Sequence, residues 1–127
     1  MSIEKKFFKC AICGNIVDLI HEGGGTLVCC GQHMNLLVPN TVEAATEKHI
    51  PVVTVDGTTV VVKVGSVAHP MLPEHSVQWI YVACGNKGKM VYLNPGDAPE
   101  ATFCVDAGAD GVAYAYCNLH GLWSAKF

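Results

Sequence analysis

Val52-Val53-Thr54-Val55-Asp56-Gly57-Thr58-Thr59-Val60-Val61-Val62-Lys63-Val64 decides the fold. Valine and threonine are stiff at χ1 and pack well on a pleated surface, so both flanks read as strands. Asp56-Gly57 between them is a strong hairpin signal. Working outward, further strands are expected at Val77–Ala83, Lys89–Leu93, Ala101–Val105, Val112–Tyr116 and Leu122–Phe127. Gly85-Asn86, Asn94-Pro95-Gly96 and Gly108-Ala109-Asp110-Gly111 punctuate them as turns. No segment sustains a 3.6-residue period. About seven short strands at this spacing predict an all-β protein whose main domain is a β-sandwich.

Pro39-Asn40 marks the boundary with a different kind of sequence, which divides the chain into residues 1–38 and 39–127. The first part is too short to build a sufficient core, since chains below roughly 40 residues usually need a metal, disulfides or a partner. It carries four thiols in the pattern CxxC-x15-CC: Cys10, Cys13, Cys29 and Cys30. Four thiolates around one ion read as tetrahedral zinc or a mononuclear FeS4 centre. Disulfides are the competing reading, and they belong to oxidising compartments. The start, Met1-Ser2-Ile3-Glu4-Lys5-Lys6-Phe7-Phe8, lacks the apolar stretch of an export signal, so a reducing cytoplasm is expected. Adjacent cysteines reach one ion only if the backbone bends sharply between them. Gly23-Gly24-Gly25 is read as the tip of a hairpin between Val17–Ile20 and Leu27–Val28.

Composition excludes some functions. Charged residues make up only 15% of the chain, the net charge is −3, and no basic block exists, so nucleic acid is not an expected partner. No apolar run approaches the roughly 20 residues of a membrane span.

The second part carries histidines where strands meet turns. His49 stands in Glu47-Lys48-His49-Ile50-Pro51 and is expected in a loop. His69 and His75 bracket the loop His69-Pro70-Met71-Leu72-Pro73-Glu74-His75, stiffened by its prolines. Cys117-Asn118-Leu119-His120 ends one strand and begins the next turn. A single histidine in a β protein is more often a surface or packing residue, and the constellation is what argues for a site. Four nitrogens and one sulfur exceed a tetrahedral structural zinc site and suit a redox iron with one position left for a substrate. That points to an enzyme; a non-enzymatic iron electron-transfer protein is the alternative. His21, beside Glu22 at a turn, is read as a solvated side chain; His33 follows Cys29-Cys30-Gly31-Gln32 and falls near the thiolate site, where a fifth ligand has no vacancy to fill. Cys84, Cys104 and the aromatics Trp79, Tyr81, Tyr114, Tyr116 and Trp123 are read as core packing.

With these residues in view, the chain resembles the desulfoferrodoxin family, the two-iron form of superoxide reductase. The resemblance runs over essentially the whole length. Cys10, Cys13, Cys29 and Cys30 are similar to the desulforedoxin module. Glu47-Lys48-His49-Ile50-Pro51, His69-Pro70-Met71, His75 and Cys117-Asn118-Leu119-His120-Gly121-Leu122-Trp123 are similar to the neelaredoxin-like catalytic domain. The resemblance implies an immunoglobulin-like seven-stranded catalytic domain and a homodimer. It implies two irons per chain and neither haem nor flavin. One iron is a thiolate centre; the other is ringed by His49, His69, His75 and His120, with Cys117 axial. His120 would bind through Nδ and the other three through Nε. It implies reduction of superoxide to hydrogen peroxide by one electron and two protons, with a rubredoxin-like donor. Lys48 would attract the anion, and Glu47 would bind the sixth position of the oxidised iron.

Overall fold

The computed structural model describes residues 4–127. Met1, Ser2 and Ile3, part of the stretch read for an export signal and of the span 1–38, lie outside the described residues. The chain forms two compact units, Glu4–Val38 and one that includes Pro39–Phe127.

In the first unit, β1 (Phe7–Lys9) is flanked by β2 (Ile16–Asp18) and β5 (Asn35–Leu36) in an antiparallel sheet. A separate ribbon pairs β3 (Val28–Cys29) with β4 (Gln32–His33). The expected hairpin across the glycine triplet does not form. Ile16–Asp18 instead pairs back onto Phe7–Lys9 across the CxxC turn, where Cys10 N–H donates to Asn15 O at 2.9 Å and Gly14 N–H to Cys10 O at 3.0 Å. A thiol-bearing turn closes the shorter loop, and shorter loops cost less entropy. Phe7 and Cys10 are the unit's buried apolar residues, too little to replace the metal that its size calls for.

The second unit is a seven-stranded antiparallel sandwich. One sheet has the order β10-β7-β6, from β6 (Pro51–Asp56), β7 (Thr59–Val64) and β10 (Glu100–Cys104). The other has the order β12-β11-β8-β9, from β8 (Val77–Cys84), β9 (Lys87–Tyr92), β11 (Gly111–Cys117) and β12 (Gly121–Lys126). All seven strands expected from the sequence are present, within two residues at each end. The hairpin that opened the reading is β6–β7, with Asp56 opposite Thr59 and Gly57 at φ +61°, a left-handed value that glycine adopts without strain. Alternation builds the core: Val60, Val62 and Val64 of β7, Ala101 and Phe103 of β10, Ile80, Val82 and Cys84 of β8, and Ala113 and Ala115 of β11 meet between the sheets. Cys84 packs in the core as expected, but Cys104 does not. It follows Phe103 in the alternation and so turns outward, exposed.

Among the described residues the only α-helix is α1 (Thr46–His49), a single turn. His49 therefore ends a helical turn instead of lying in a loop, and it is buried. Among the described residues no helix is long and apolar enough to cross a membrane.

Candidate metal centres

The strand connections gather the histidines at one end of the sandwich. His49 precedes β6 by two residues and His69 lies beyond the end of β7, and these ends adjoin because Pro51 pairs with Val64. His75 precedes β8, Cys117 closes β11 and His120 precedes β12. Their ends adjoin because Cys117 pairs with both Val77 and Gly121. The ladder of β8 and β11 shifts register between Tyr116 and Cys117, leaving Gln78 over. Such irregularities re-aim side chains beside sites, and Cys117 is consequently buried at the foot of the cluster.

The four imidazoles stand at the corners of a square. Going round it, ring centres are 4.6 Å apart for His49–His69, 4.8 Å for His69–His75, 5.2 Å for His75–His120 and 4.9 Å for His120–His49. The diagonal His49–His75 is 6.5 Å. The nitrogens that face one another are Nε2 of His49 and His69, 3.1 Å apart, and Nδ1 of His120, 3.1 Å from His49 Nε2. Ligand atoms of His49, His69, His75 and Cys117 all lie within 4.8 Å of one another, and Cys117 Sγ is 3.9 Å from His120 Nδ1.

The contact between His49 Nε2 and His69 Nε2 is not a hydrogen bond. His49 Nδ1 is 2.7 Å from Ala45 O and His69 Nδ1 is 2.7 Å from Pro70 O. A carbonyl only accepts, so each Nδ1 carries the proton and each Nε2 presents a lone pair. Burial lowers the pKa of His49, and it lowers that of His69 to about 4, so both rings are neutral near pH 7. Two lone pairs 3.1 Å apart repel unless a cation lies between them. Adjacent nitrogens each about 2.1 Å from a shared ion, at right angles, stand about 3.0 Å apart. His75 Nε2 is likewise buried with no hydrogen-bond partner. The residues present therefore fit a metal ion held by four imidazoles and a thiolate, with the Ala45 and Pro70 carbonyls fixing the orientation of two of the rings.

Three groups that the sequence reading passed over support this cluster. Asn118 ties the turn that carries Cys117 and His120 to the residues on either side of His75. Its Oδ1 accepts from Ser76 N–H at 3.0 Å, its Nδ2 donates to Glu74 O at 3.0 Å, and its own N–H donates to Ser76 O at 3.2 Å. Trp123, read as core, is buried but also stacks on His49 and donates from Nε1 to His120 O at 3.1 Å. The Ala45 carbonyl lies four residues before His49, one helical turn away. Only helical phasing could have signalled it, and a single turn is too short to show a period.

Glu47 and Lys48 lie on α1 with exposed side chains, next to buried His49. Among the described residues no salt bridge engages either. His21 and His33 are exposed and belong to neither cluster.

The four N-terminal thiols also converge, with all sulfurs within 4.8 Å of one another. Cys13 and Cys29 Sγ are 3.6 Å apart, and Cys29 and Cys30 Sγ 3.9 Å. Four sulfurs about 2.3 Å from one ion at tetrahedral angles stand about 3.8 Å apart, whereas a disulfide needs about 2.05 Å. The bend required between adjacent cysteines is the two-residue turn Cys30-Gly31, which joins β3 to β4 with φ +53° and +75°. Both values are left-handed, the pattern of a tight hairpin turn whose first position normally prefers Asn, Asp or Gly. Amide groups point at the sulfurs: Cys13 N–H to Cys10 Sγ and Asn15 N–H to Cys13 Sγ, both at 3.5 Å. The amides of Cys13 and Ile12 hold the Cys10 thiol down to about 6. Crowding by the thiols of Cys13, Cys10 and Cys29 pushes Cys30 up to about 12. Four such groups ionise together only around a cation.

Comparison with known proteins agrees with this arrangement. The desulfoferrodoxin family model matches residues 41–126, and the model of the desulfoferrodoxin N-terminal domain matches residues 2–37. A desulfoferrodoxin of Syntrophotalea carbinolica is 51% identical over 126 residues, covering 99% of each chain. Desulforedoxin of Megalodesulfovibrio gigas is 53% identical over 34 residues, 27% of this chain and 92% of its own. The crystal structure of the superoxide reductase from Treponema pallidum superposes with a TM-score of 0.78 at 40% identity, covering 97% of this chain and 99% of that one. Two metal-ligand clusters on two units, matched end to end by these relatives, make the chain a member of the desulfoferrodoxin family.

Proposed function

We propose that the chain is a superoxide reductase: it converts superoxide to hydrogen peroxide with one electron and two protons, and releases no dioxygen. The observation that carries the reading is the square of four imidazoles, with the Nε2 lone pairs of His49 and His69 facing each other and the buried Cys117 thiol beside them. Five protein donors leave a six-coordinate ion one position short, and that vacancy separates an enzyme from a carrier. The superoxide reductase structure from Treponema pallidum, similar over almost the whole chain, supports the substrate.

His49, His69, His75, His120 and Cys117 hold iron, which supplies single-electron chemistry by passing between its ferrous and ferric states. Cys117 would hold the iron through a thiolate, whose electron donation would favour single-electron reduction. The neutral imidazoles leave the centre positive, which favours an anionic substrate. Lys48 adds a free exposed cation beside His49, drawing the anion in and raising its on-rate. It also passes protons on through water. Glu47, exposed on the helical turn that ends in His49, would by resemblance to the family be a further ligand to the oxidised iron and help the product leave. Cys10, Cys13, Cys29 and Cys30 hold a second iron that completes the N-terminal unit. A small rubredoxin-like iron protein supplies the electrons, and the chain works as a cytoplasmic homodimer in defence against oxidative stress. These last assignments rest on family resemblance and on seven cysteines that suit a reducing compartment.

The test is anaerobic metal analysis with visible spectra before and after a known dose of superoxide. Two irons per chain, a new thiolate-to-iron band on oxidation, and one peroxide per electron without dioxygen are expected. An iron that cycles but ignores superoxide would make the chain an electron carrier. Dioxygen evolution would make it a dismutase.

A further inference from the structure

We propose that the turn Gly65-Ser66-Val67 is a positioning element of the histidine centre, clamping α1 so that His49 and Lys48 are held in fixed places. The part of this inference that concerns turnover rests on the superoxide reductase reading; the part that concerns metal binding does not.

A four-residue helix cannot hold itself, because nucleation costs more than one turn returns. Helix α1 has no side-chain cap at Ala45, and its own bonds are Lys48 N–H to Ala45 O at 3.2 Å and Ile50 N–H to Thr46 O at 3.0 Å. The support comes from outside. Glu47 O accepts from Val67 N–H at 2.8 Å and from Ser66 Oγ at 3.2 Å. Beside these bonds the two backbones touch. A Cβ added to Gly65 would lie 2.7 Å from Glu47 O, 2.9 Å from Ile50 O and 3.1 Å from the carbonyl carbon of Lys48. All three are backbone atoms, so no side chain can swing aside. Only glycine permits this approach, and here the reason is space, because its φ is not left-handed.

The clamp is itself anchored. Val64 N–H donates to Pro99 O and His69 N–H to Val64 O, both at 2.9 Å. The segment that grips α1 therefore runs directly into His69, whose Nε2 faces that of His49 at 3.1 Å. One backbone contact thus sets the spacing of two corners of the square and the station of an ammonium group with no other tether.

The experiment uses the full chain with Gly65→Ala, Ser66→Ala and Ser66→Thr. Superoxide association is followed by pulse radiolysis against ionic strength, and cobalt(II) alone is titrated into metal-free protein, with its visible bands assigned to each centre. Gly65→Ala should slow association about ten-fold and flatten its salt dependence, as expected when a steering charge is displaced. It should also weaken cobalt binding at the histidine centre and leave the thiolate centre unchanged. Ser66→Ala should do the same to a smaller degree, about three-fold by loss of one hydrogen bond, and Ser66→Thr should restore it. Because Gly65→Ala risks misfolding, Ser66→Ala against Ser66→Thr decides the matter. If both pairs of readouts match the parent, or if Ser66→Thr fails to rescue, the clamp is overturned. Altered cobalt binding in a protein that ignores superoxide would keep the clamp and sink the reductase reading.

Discussion

The indole of Trp123 lies against the imidazole of His49, with ring centres 4.9 Å apart and planes inclined by 28°. Its Nε1 reaches the carbonyl of His120, so one buried side chain braces two neighbouring corners of the square. Trp123→Phe keeps an aromatic face for His49 and loses the hydrogen bond, at a cost of about 1–3 kcal/mol for the buried carbonyl left unpaired. Trp123→Ala also opens a cavity and should cost about 3–5 kcal/mol. Thermal unfolding of the metal-free protein should rank them parent, Phe, Ala. In the loaded protein both should shift the thiolate-to-iron band.

Lys48 is exposed and carries a single charge beside a buried ligand. Lys48→Ile should slow superoxide association about ten-fold at low salt and remove most of its ionic-strength dependence. Metal content and melting temperature should stay at parental values, because the side chain packs against nothing that burial would reward. A pulse-radiolysis rate equal to the parent's would end its steering role.

The pH dependence of the metal-free chain follows from His69. Burial puts its folded pKa at about 4, against about 6.5 when unfolded. Between these values the unfolded chain binds a proton that the folded chain refuses, so stability falls as the pH drops from about 6.5 towards 4. The contribution of this one ring is about 3 kcal/mol. His49 is shifted in the same direction, also by burial, and adds to the loss. Urea unfolding of metal-free protein at pH 7 and pH 5 should show it, and His69→Gln should flatten the slope.

Cys30 combines a ligand with a left-handed backbone at φ +53°, a conformation that costs a residue bearing a Cβ roughly 1–2 kcal/mol. Cys30→Gly relieves that cost and deletes a sulfur. It should lose the N-terminal metal while retaining one metal per chain with an unaltered histidine-centre spectrum. Cys30→Ser deletes the sulfur without relieving the backbone. Metal-free Cys30→Gly should therefore show slower amide exchange at Met34, whose N–H donates across the ribbon to Leu27 O, than metal-free Cys30→Ser.

What the sequence disclosed and what it hid divide on physical lines. Period-two patterning in Val60-Val61-Val62-Lys63-Val64 reports burial directly, so the seven strands were legible, and the two groups of thiols and imidazoles that the fold gathers could be named from residue type. Chemistry confined to one atom type was legible as well, since His and Cys announce themselves. Interactions of the backbone were not. The Ala45 and Pro70 carbonyls that fix the imidazole tautomers carry no side-chain signature. Neither does the approach of Gly65 to Glu47, although an isolated glycine after a valine-rich strand was the available hint. The glycine triplet misled for the opposite reason: Gly23-Gly24-Gly25 permits a hairpin tip without demanding one, and Phe7–Lys9 competed for the same strand.

The donors of the histidine cluster gather at one end of two hydrogen-bonded sheets, Cys117 and His120 at strand termini and His49, His69 and His75 on the short segments that lead into or out of strands. A site carried this way takes stiffness from the sheets at Cys117 and His120 and from the Gly65 contact at His49 and His69. For an ion that changes charge by one unit, that means a small reorganisation energy, because the ligands cannot follow the change far. The far end of the sandwich, where Gly57 and Gly85 turn the chain, bears none of that duty. Loop lengths there are free to drift without moving the histidines or Cys117.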